Sequence, residues 1–419
     1  MKRLLAALAS RIVRRGNLQI EYVDGSKQSF GDGEGPPIAI RFTDDRGPFD
    51  LARNPELTLG ELYMDGRLGM TSGTILDFLR LVMSNAVRRT PPLPMRAIWL
   101  TRRLASTLWR NGRGRARANV AHHYDLDGRL YDLFLDRDRQ YSCAYFEQPG
   151  MSLDAAQLAK KRHVAAKLLM EPGQRTLDIG SGWGGMALYL ARHCGADVTG
   201  ITLSTEQLAM SADRARAGGL SDRVRFKLED YRDTQGPFDR IVSVGMFEHV
   251  GAAHYDGFFA KMAELLTEDG VALLHTIGRP DGPGATNAWI AKYIFPGGYI
   301  PSLSEIAASV EKAGLFITDV EVLRLHYAET LKAWRERFLA RREEAKALYD
   351  ERFCRMWEFY LSISELTFRI EGECVFQVQI ARRHDKVPIT RGYIAAREDA
   401  LRKLDAGDLD EDWRATAAQ

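Results

Sequence analysis

Cysteine is scarce in this chain of 419 residues: Cys143, Cys194, Cys354 and Cys374 stand far apart, and none belongs to a CxxC pair. That spacing does not suit a Cys/His zinc site, so no metal is expected. Four thiols in so long a chain read as reduced cytosolic cysteines, not as a disulfide framework. Long apolar runs are also missing. No stretch reaches the ~18 residues that a spanning helix needs, which argues against a polytopic membrane protein. A dominant charge is missing too, since 58 Lys+Arg face 56 Asp+Glu for a net +2. That balance argues against a strongly basic nucleic-acid binder, although a sum can hide a gradient. What is present is ordinary for a soluble protein, with 45% hydrophobic and 27% charged residues. Single cores stop growing near ~250–300 residues, so more than one domain is expected.

The gradient exists. Residues 1–124 sum to about +9 and residues 125–419 to about −7. Between Asp77 and Asp125 there is no acid, while ten arginines run from Arg80 to Arg117. They are mixed with Trp99, Trp109 and several leucines. Arginine interleaved with Trp and Leu suits a surface that meets anionic headgroups and dips into the acyl boundary. No helix-turn-helix, zinc finger or RNA-binding signature supports a nucleic-acid reading. The opening MKRLLAALASRIVRR imitates a signal peptide, but its apolar stretch is too short and arginines follow it. Leu4, Leu5, Leu8 and Ile12 fall at helical spacing, as in a docked helix or an interfacial membrane helix. Taken alone, the pattern favours docking.

Residues 17–75 read as short strands and turns, with a helical pattern near Thr58–Met83. This predicts a small α+β domain over residues 1–115, including a basic linker. NGRGRARAN (Asn111–Asn119) has linker composition and marks its end. Residues 116–385 alternate strand and helix. Strand candidates are Arg175–Ile179, Asp197–Thr202, Val224–Leu228, Arg240–Val244 and Val271–Thr276, with later ones in Phe316–Leu325 and Cys374–Arg382. The pattern predicts an α/β, doubly wound, Rossmann-like domain. Residues 386–419 read as a charged tail with a surface helix.

The strongest single motif is LDIGSGWGG, Leu177–Gly185. A buried strand ends in Asp178 and enters a glycine turn through Gly180 and Gly182. This is where open α/β sheets bind ligands. Gly180, Gly182 and Gly185 formally match the dinucleotide pattern. Strand two, however, ends in VTGITLS without the acid that such a site wants. LEDYRD (Leu228–Asp233) follows strand three, and an acid there can hold an adenine amine. Glu248, in MFEHVG, and His275, in LLHTIG, lie at adjacent strand ends and form a candidate acid/base or ligand-holding pair. Tyr141, Tyr145, Phe146, Phe247, Trp289, Tyr293 and Tyr299 are candidate rings for stabilising a cation. Arg279–Ser302 reads as a lid or a long ordered excursion.

These segments carry a resemblance. HYDLDGRLYDLFLDRDRQYSCAYFE (His123–Glu147), LDIGSGWGG, VTGITLSTEQ, SVGMFEHVG, LLHTIGRP, FPGGYIPS and FRIEGECVFQVQIARR resemble the cyclopropane-fatty-acyl-phospholipid synthase family over most of residues 120–383. The resemblance implies a class I methyltransferase domain that uses S-adenosylmethionine. The implied reaction transfers a methylene group to the cis double bond of an unsaturated phospholipid acyl chain through a carbocation, with bound bicarbonate as base. An alternative is a relative that adds a methyl or methylene branch without closing the ring. The implied bicarbonate pocket is Cys143, Glu248, His275, Ile277 and Tyr327. The implied cofactor site is Tyr141, Ser142, Asp178, Gly180, Gly182, Thr202, Leu203, Ser204, Gln207, Asp230 and Tyr231. The expected partner is a phospholipid bilayer, met peripherally at the inner face of the cell membrane from the cytoplasm. The resemblance also implies a homodimer.

Overall fold

The structure, a computed structural model, describes residues 2–86 and 127–409. The arginines from Arg88 to Arg117, the Asn111–Asn119 stretch and His123 lie outside the described residues. The chain divides into two units. The division is not one cut near residue 115. The first unit takes residues 2–86 together with Thr286–Pro296 and Ala328–Glu373, and the second takes 127–285, Gly297–Tyr327 and 374–409.

In the first unit, four strands pair in the order β2-β1-β3-β4, with β1 Asn17–Glu21, β2 Lys27–Phe30, β3 Pro37–Phe42 and β4 Leu68–Ser72. Leu18 and Ile20 of β1, with Ile38, Ile40 and Phe42 of β3, alternate inward and are buried. The helix Lys2–Ile12 packs through Leu5 and Ala9 and leaves Leu4 exposed, so it is docked along one face. The expected helical run over Thr58–Met83 is interrupted. Helices Pro55–Met64 and Ile75–Ala86 flank β4, and Gly66 makes the break at φ +70°. The late segments complete this core. Trp289 is fully buried, stacks edge-on to Phe359 at 4.7 Å, and sits where Gly60 leaves room for it.

The second unit holds a seven-stranded sheet in the order β10-β11-β9-β8-β5-β6-β7. These are β5 Arg175–Ile179, β6 Asp197–Thr202, β7 Val224–Leu228, β8 Phe238–Val244, β9 Leu266–Gly278, β10 Phe316–Leu323 and β11 Cys374–Ala381. Strands β5 to β9 run parallel, and β11 is antiparallel to both β9 and β10. Ile241 and Leu274 join one apolar cluster, while their neighbours Val242 and Leu273 join another. Both sheet faces are therefore covered, which explains why these strands read as continuous apolar runs. The C-terminal segment is more than a surface helix. Helix Gly392–Leu404 ends at Asp405, whose buried carboxylate pairs with Arg162 at 3.0 Å.

Candidate active site

The parallel strands deliver their carboxyl ends to one edge. β5 turns into helix Gly185–Cys194 through Gly180, Ser181, Gly182, Trp183 and Gly184. Gly180 takes φ +81°, and a Cβ there would stand 2.8 Å from Met246. Gly182 takes φ +55° with nothing within 4 Å of a notional Cβ, so the loop leaves open space there. The result is a cavity of about 160 Å³.

Ten of the eleven residues expected at the cofactor line this cavity: Tyr141, Ser142, Asp178, Gly180, Gly182, Thr202, Leu203, Gln207, Asp230 and Tyr231. Ser204 does not line it; its hydroxyl caps helix Thr205–Ala217 by accepting the Gln207 N–H at 3.3 Å. Thr202 Oγ1 donates to Gln207 Oε1 at 2.8 Å and fixes that amide. The Asp230 carboxylate accepts from Arg232 through Nε at 2.8 Å and Nη2 at 2.6 Å. Asp178 is pushed up to about 7 by burial, and its Oδ2 has no partner.

The five residues expected to hold bicarbonate lie outside the cavity lining, and the structure joins some of them directly. Ile277 N–H donates to Glu248 Oε1 at 2.6 Å. Tyr299 N–H donates to the Glu248 carbonyl at 2.9 Å and anchors the turn Phe247–His249. His275 lies across the β9–β11 ladder from Gln377, whose Nε2 donates to His275 Nδ1 at 3.1 Å. With the Gln377 amide in this orientation the proton of His275 sits on Nε2. Glu248 Oε2 and His275 Nε2 are both buried without a partner. Burial raises Glu248 to about 7 and holds His275 well below its ordinary value. Cys143 is buried beside Ser142, and Gly245 links the two regions. Its N–H donates to the His275 carbonyl at 2.9 Å, and a notional Cβ would stand 3.9 Å from Ser142. Tyr327 is buried in the first turn of helix His326–Ala340. The preceding His326 accepts the Phe146 N–H through Nδ1 at 3.0 Å.

The expected aromatic lining is mostly spent elsewhere. Trp289 and Tyr293 belong to the first unit, where the middle of Arg279–Ser302 packs. Phe247 is stacked on Tyr255 at 4.2 Å, and Tyr145 is stacked on His163 and His326. Of the expected rings, Tyr141 lines the cavity.

A model described as mycolic acid cyclopropane synthetase matches residues 112–378, and one described as a domain of unknown function matches residues 7–89. The cyclopropane-fatty-acyl-phospholipid synthase of Escherichia coli K12 is 40% identical over 78% of this chain and 83% of its own. The chain belongs to the cyclopropane-fatty-acyl-phospholipid synthase family. A probable fatty acid methyltransferase of Pseudomonas putida is 45% identical over 58% of this chain and 64% of its own length. The mycolic acid cyclopropane synthase CmaA1, complexed with SAH and CTAB, is similar with a TM-score of 0.59 and 35% identity over 63% of this chain and 98% of its own. The protein is an S-adenosylmethionine-dependent methyltransferase with the class I α/β fold.

In this synthase-family chain the residues present fit S-adenosylmethionine: an open glycine cradle and the unpartnered buried Asp178 Oδ2. Sequence reasoning missed Lys160. It is fully buried, lowered to about 8 by burial, and donates to Gln140 Oε1 at 2.7 Å and Ser142 Oγ at 2.8 Å. It thereby holds both neighbours of Tyr141. A lysine amid the apolar spacing of helix Leu153–Lys167 was the available signal. Met246 also lines the cavity, and no spacing rule singled it out for it; His249 lines it too, as its place in MFEHVG after the fourth strand leads one to expect.

Proposed function

We propose that this enzyme transfers a methylene group from S-adenosylmethionine to the cis double bond of an unsaturated phospholipid acyl chain and closes a cyclopropane ring. The observation that carries the reading is the pair of unspent buried groups, Glu248 Oε2 and His275 Nε2–H, at strand ends next to the cavity. An acceptor and a donor buried without a protein partner suit a small oxyanion with one hydroxyl.

S-adenosylmethionine, when bound, supplies an electrophilic methyl group, and bicarbonate, when bound, supplies a base. The alkene π pair would take the cofactor's methyl group while the S–CH₃ electron pair leaves with sulfur, and the proton lost from that methyl on ring closure would pass to the base that this pocket would hold. Tyr141, Asp178, Gly180 and Gln207 hold and orient the cofactor. Glu248, fixed by Ile277 N–H, and His275, kept neutral by burial and pinned by Gln377, are the residues that would hold bicarbonate, Glu248 as acceptor and His275 as donor. Cys143 and Tyr327 complete this pocket.

The bilayer is the source of the acyl chain in this reading. Exposed Leu4 and Val23 of the first unit, together with the arginine-rich sequence, support peripheral binding at the inner face of the membrane. Mass spectrometry of lipids from cells expressing the protein and fed methyl-labelled methionine tests the proposal. A labelled cyclopropane acyl chain is expected. A labelled open-chain branch would replace ring closure with the branching alternative, and unlabelled lipid would sink the lipid assignment.

A further inference from the structure

Two carboxylates grip one buried imidazole. His163 Nδ1 lies 2.5 Å from Glu398 Oε1, and Nε2 lies 2.8 Å from Glu321 Oε2. A neutral imidazole carries one N–H and satisfies one carboxylate; two require both nitrogens protonated. The same ring stacks on Tyr145, centroids 4.1 Å apart and planes 8° apart. Tyr145 also stacks on His326 at 5.0 Å and 3°. His326 accepts the Phe146 N–H through Nδ1, so it is neutral there. The order is imidazolium, phenol, imidazole. Tyr145 is two residues from Cys143, and His326 directly precedes Tyr327.

We infer that His163 is a positioning residue for the reaction: as an imidazolium clamped between Glu321 and Glu398, it holds the Tyr145–His326 stack and so places Cys143 and Tyr327 at one pocket. The inference rests on the function proposed above for that pocket.

The surrounding charges fit a cation. Lys167, on the same helix as His163, pairs with Glu321 and lies 3.6 Å from Asp319. Arg391 reaches Asp319 at 3.0 Å and Glu321 at 3.8 Å. With His163 charged, three cations meet the three carboxylates Asp319, Glu321 and Glu398. Glu147 and Arg324 act on Tyr145 and His326 from further out. Burial opposes the charge on His163, but the hydrogen bonds to Glu321 and Glu398 outweigh it and raise its proton affinity. The clamp is therefore complete below histidine's ordinary value and is lost as pH rises through the higher folded value. Deprotonation turns one ring nitrogen into a lone pair facing a carboxylate and removes the cation from the Tyr145 face.

NMR of the full chain saturated with SAH, with ring-labelled histidine and tyrosine, tests the clamp. Both His163 nitrogens should be protonated below a midpoint that lies above histidine's ordinary value. The Tyr145 and Tyr327 signals should move with that midpoint. A midpoint at or below the ordinary value, or tyrosine signals that ignore it, overturns the inference, even if the wild type methylates no lipid and the function proposed above falls. On vesicles of unsaturated phosphatidylglycerol, kcat should fall on the alkaline side with the same midpoint. Glu398→Gln should move the NMR midpoint and the kinetic limb down together; a limb that stays put overturns the inference. His163→Gln should lower kcat about tenfold and leave SAH affinity within about twofold; an equal loss of both overturns it.

Discussion

Burial raises the proton affinity of Glu248, and the hydrogen bond from Ile277 N–H only partly offsets this. Near pH 7 the group stands between two forms with different uses, since the carboxylate accepts and the acid donates. Our mechanism needs the acceptor. As pH falls through about 7 the carboxylate is lost, so the rate should show an acidic limb there. Glu248→Gln keeps the shape and an oxygen for Ile277, but it puts an NH₂ where Oε2 accepts. Steady-state kinetics should show kcat down by about 10² to 10³ with the acidic limb abolished. Calorimetry should show SAH affinity within about twofold. Equal loss of both would move Glu248 into the cofactor site. Ser204 illustrates the limit of reading single residues: its place in VTGITLS marked it for the cofactor, yet its hydroxyl is used as a helix cap. The motif located the turn correctly, and the local hydrogen bonds decided which of its side chains face the cavity.

At the scale of elements, helices Leu153–Lys167 and Gly392–Leu404 are joined by the His163–Glu398 pair and, past the end of the second helix, by the buried pair of Arg162 with Asp405. Asp405 accepts from Arg162 through both carboxylate oxygens and from Tyr189 Oη at 2.8 Å. Asp405→Ala leaves a buried guanidinium with only the longer contact to Glu147 at 3.4 Å. Thermal denaturation should report a loss of about 3 kcal/mol; a loss under about 1 kcal/mol would mean that Arg162 finds water instead. This contact was invisible in the sequence because its partners lie 243 positions apart. The central strands β8 and β9 were legible, since both faces are buried and each reads as a compact apolar run between turns. β4 was not legible. Its five residues, LGMTS, are too few to show a period of two, and the flanking helices impose theirs. The strand ends that carry Asp178, Asp230, Glu248 and His275 could be read from the α/β pattern alone. Tyr327, by contrast, begins a helix far along the chain, and only the family resemblance pointed to it.

At the scale of the whole molecule, the near-zero net charge conceals an excess of positive charge in the first 124 residues. Among the described residues no helix is long and apolar enough to cross a membrane. If the bilayer is met through charge and a few apolar side chains, vesicle co-sedimentation should show binding to anionic vesicles that weakens as salt rises from about 0.1 to 0.5 M. Equal, salt-insensitive binding to neutral vesicles would count against a role for the arginine-rich sequence. The first unit is also built from three separate stretches of chain. Gly60 leaves room for Trp289, and Trp289 packs on Phe359. A ribosome adding ~5–20 residues each second needs ~15–60 s to travel from Gly60 to Phe359. Throughout that interval helices Pro55–Met64 and Ile75–Ala86 must wait with part of their apolar surface uncovered, so the order of synthesis obliges the amino-terminal unit to finish folding almost last.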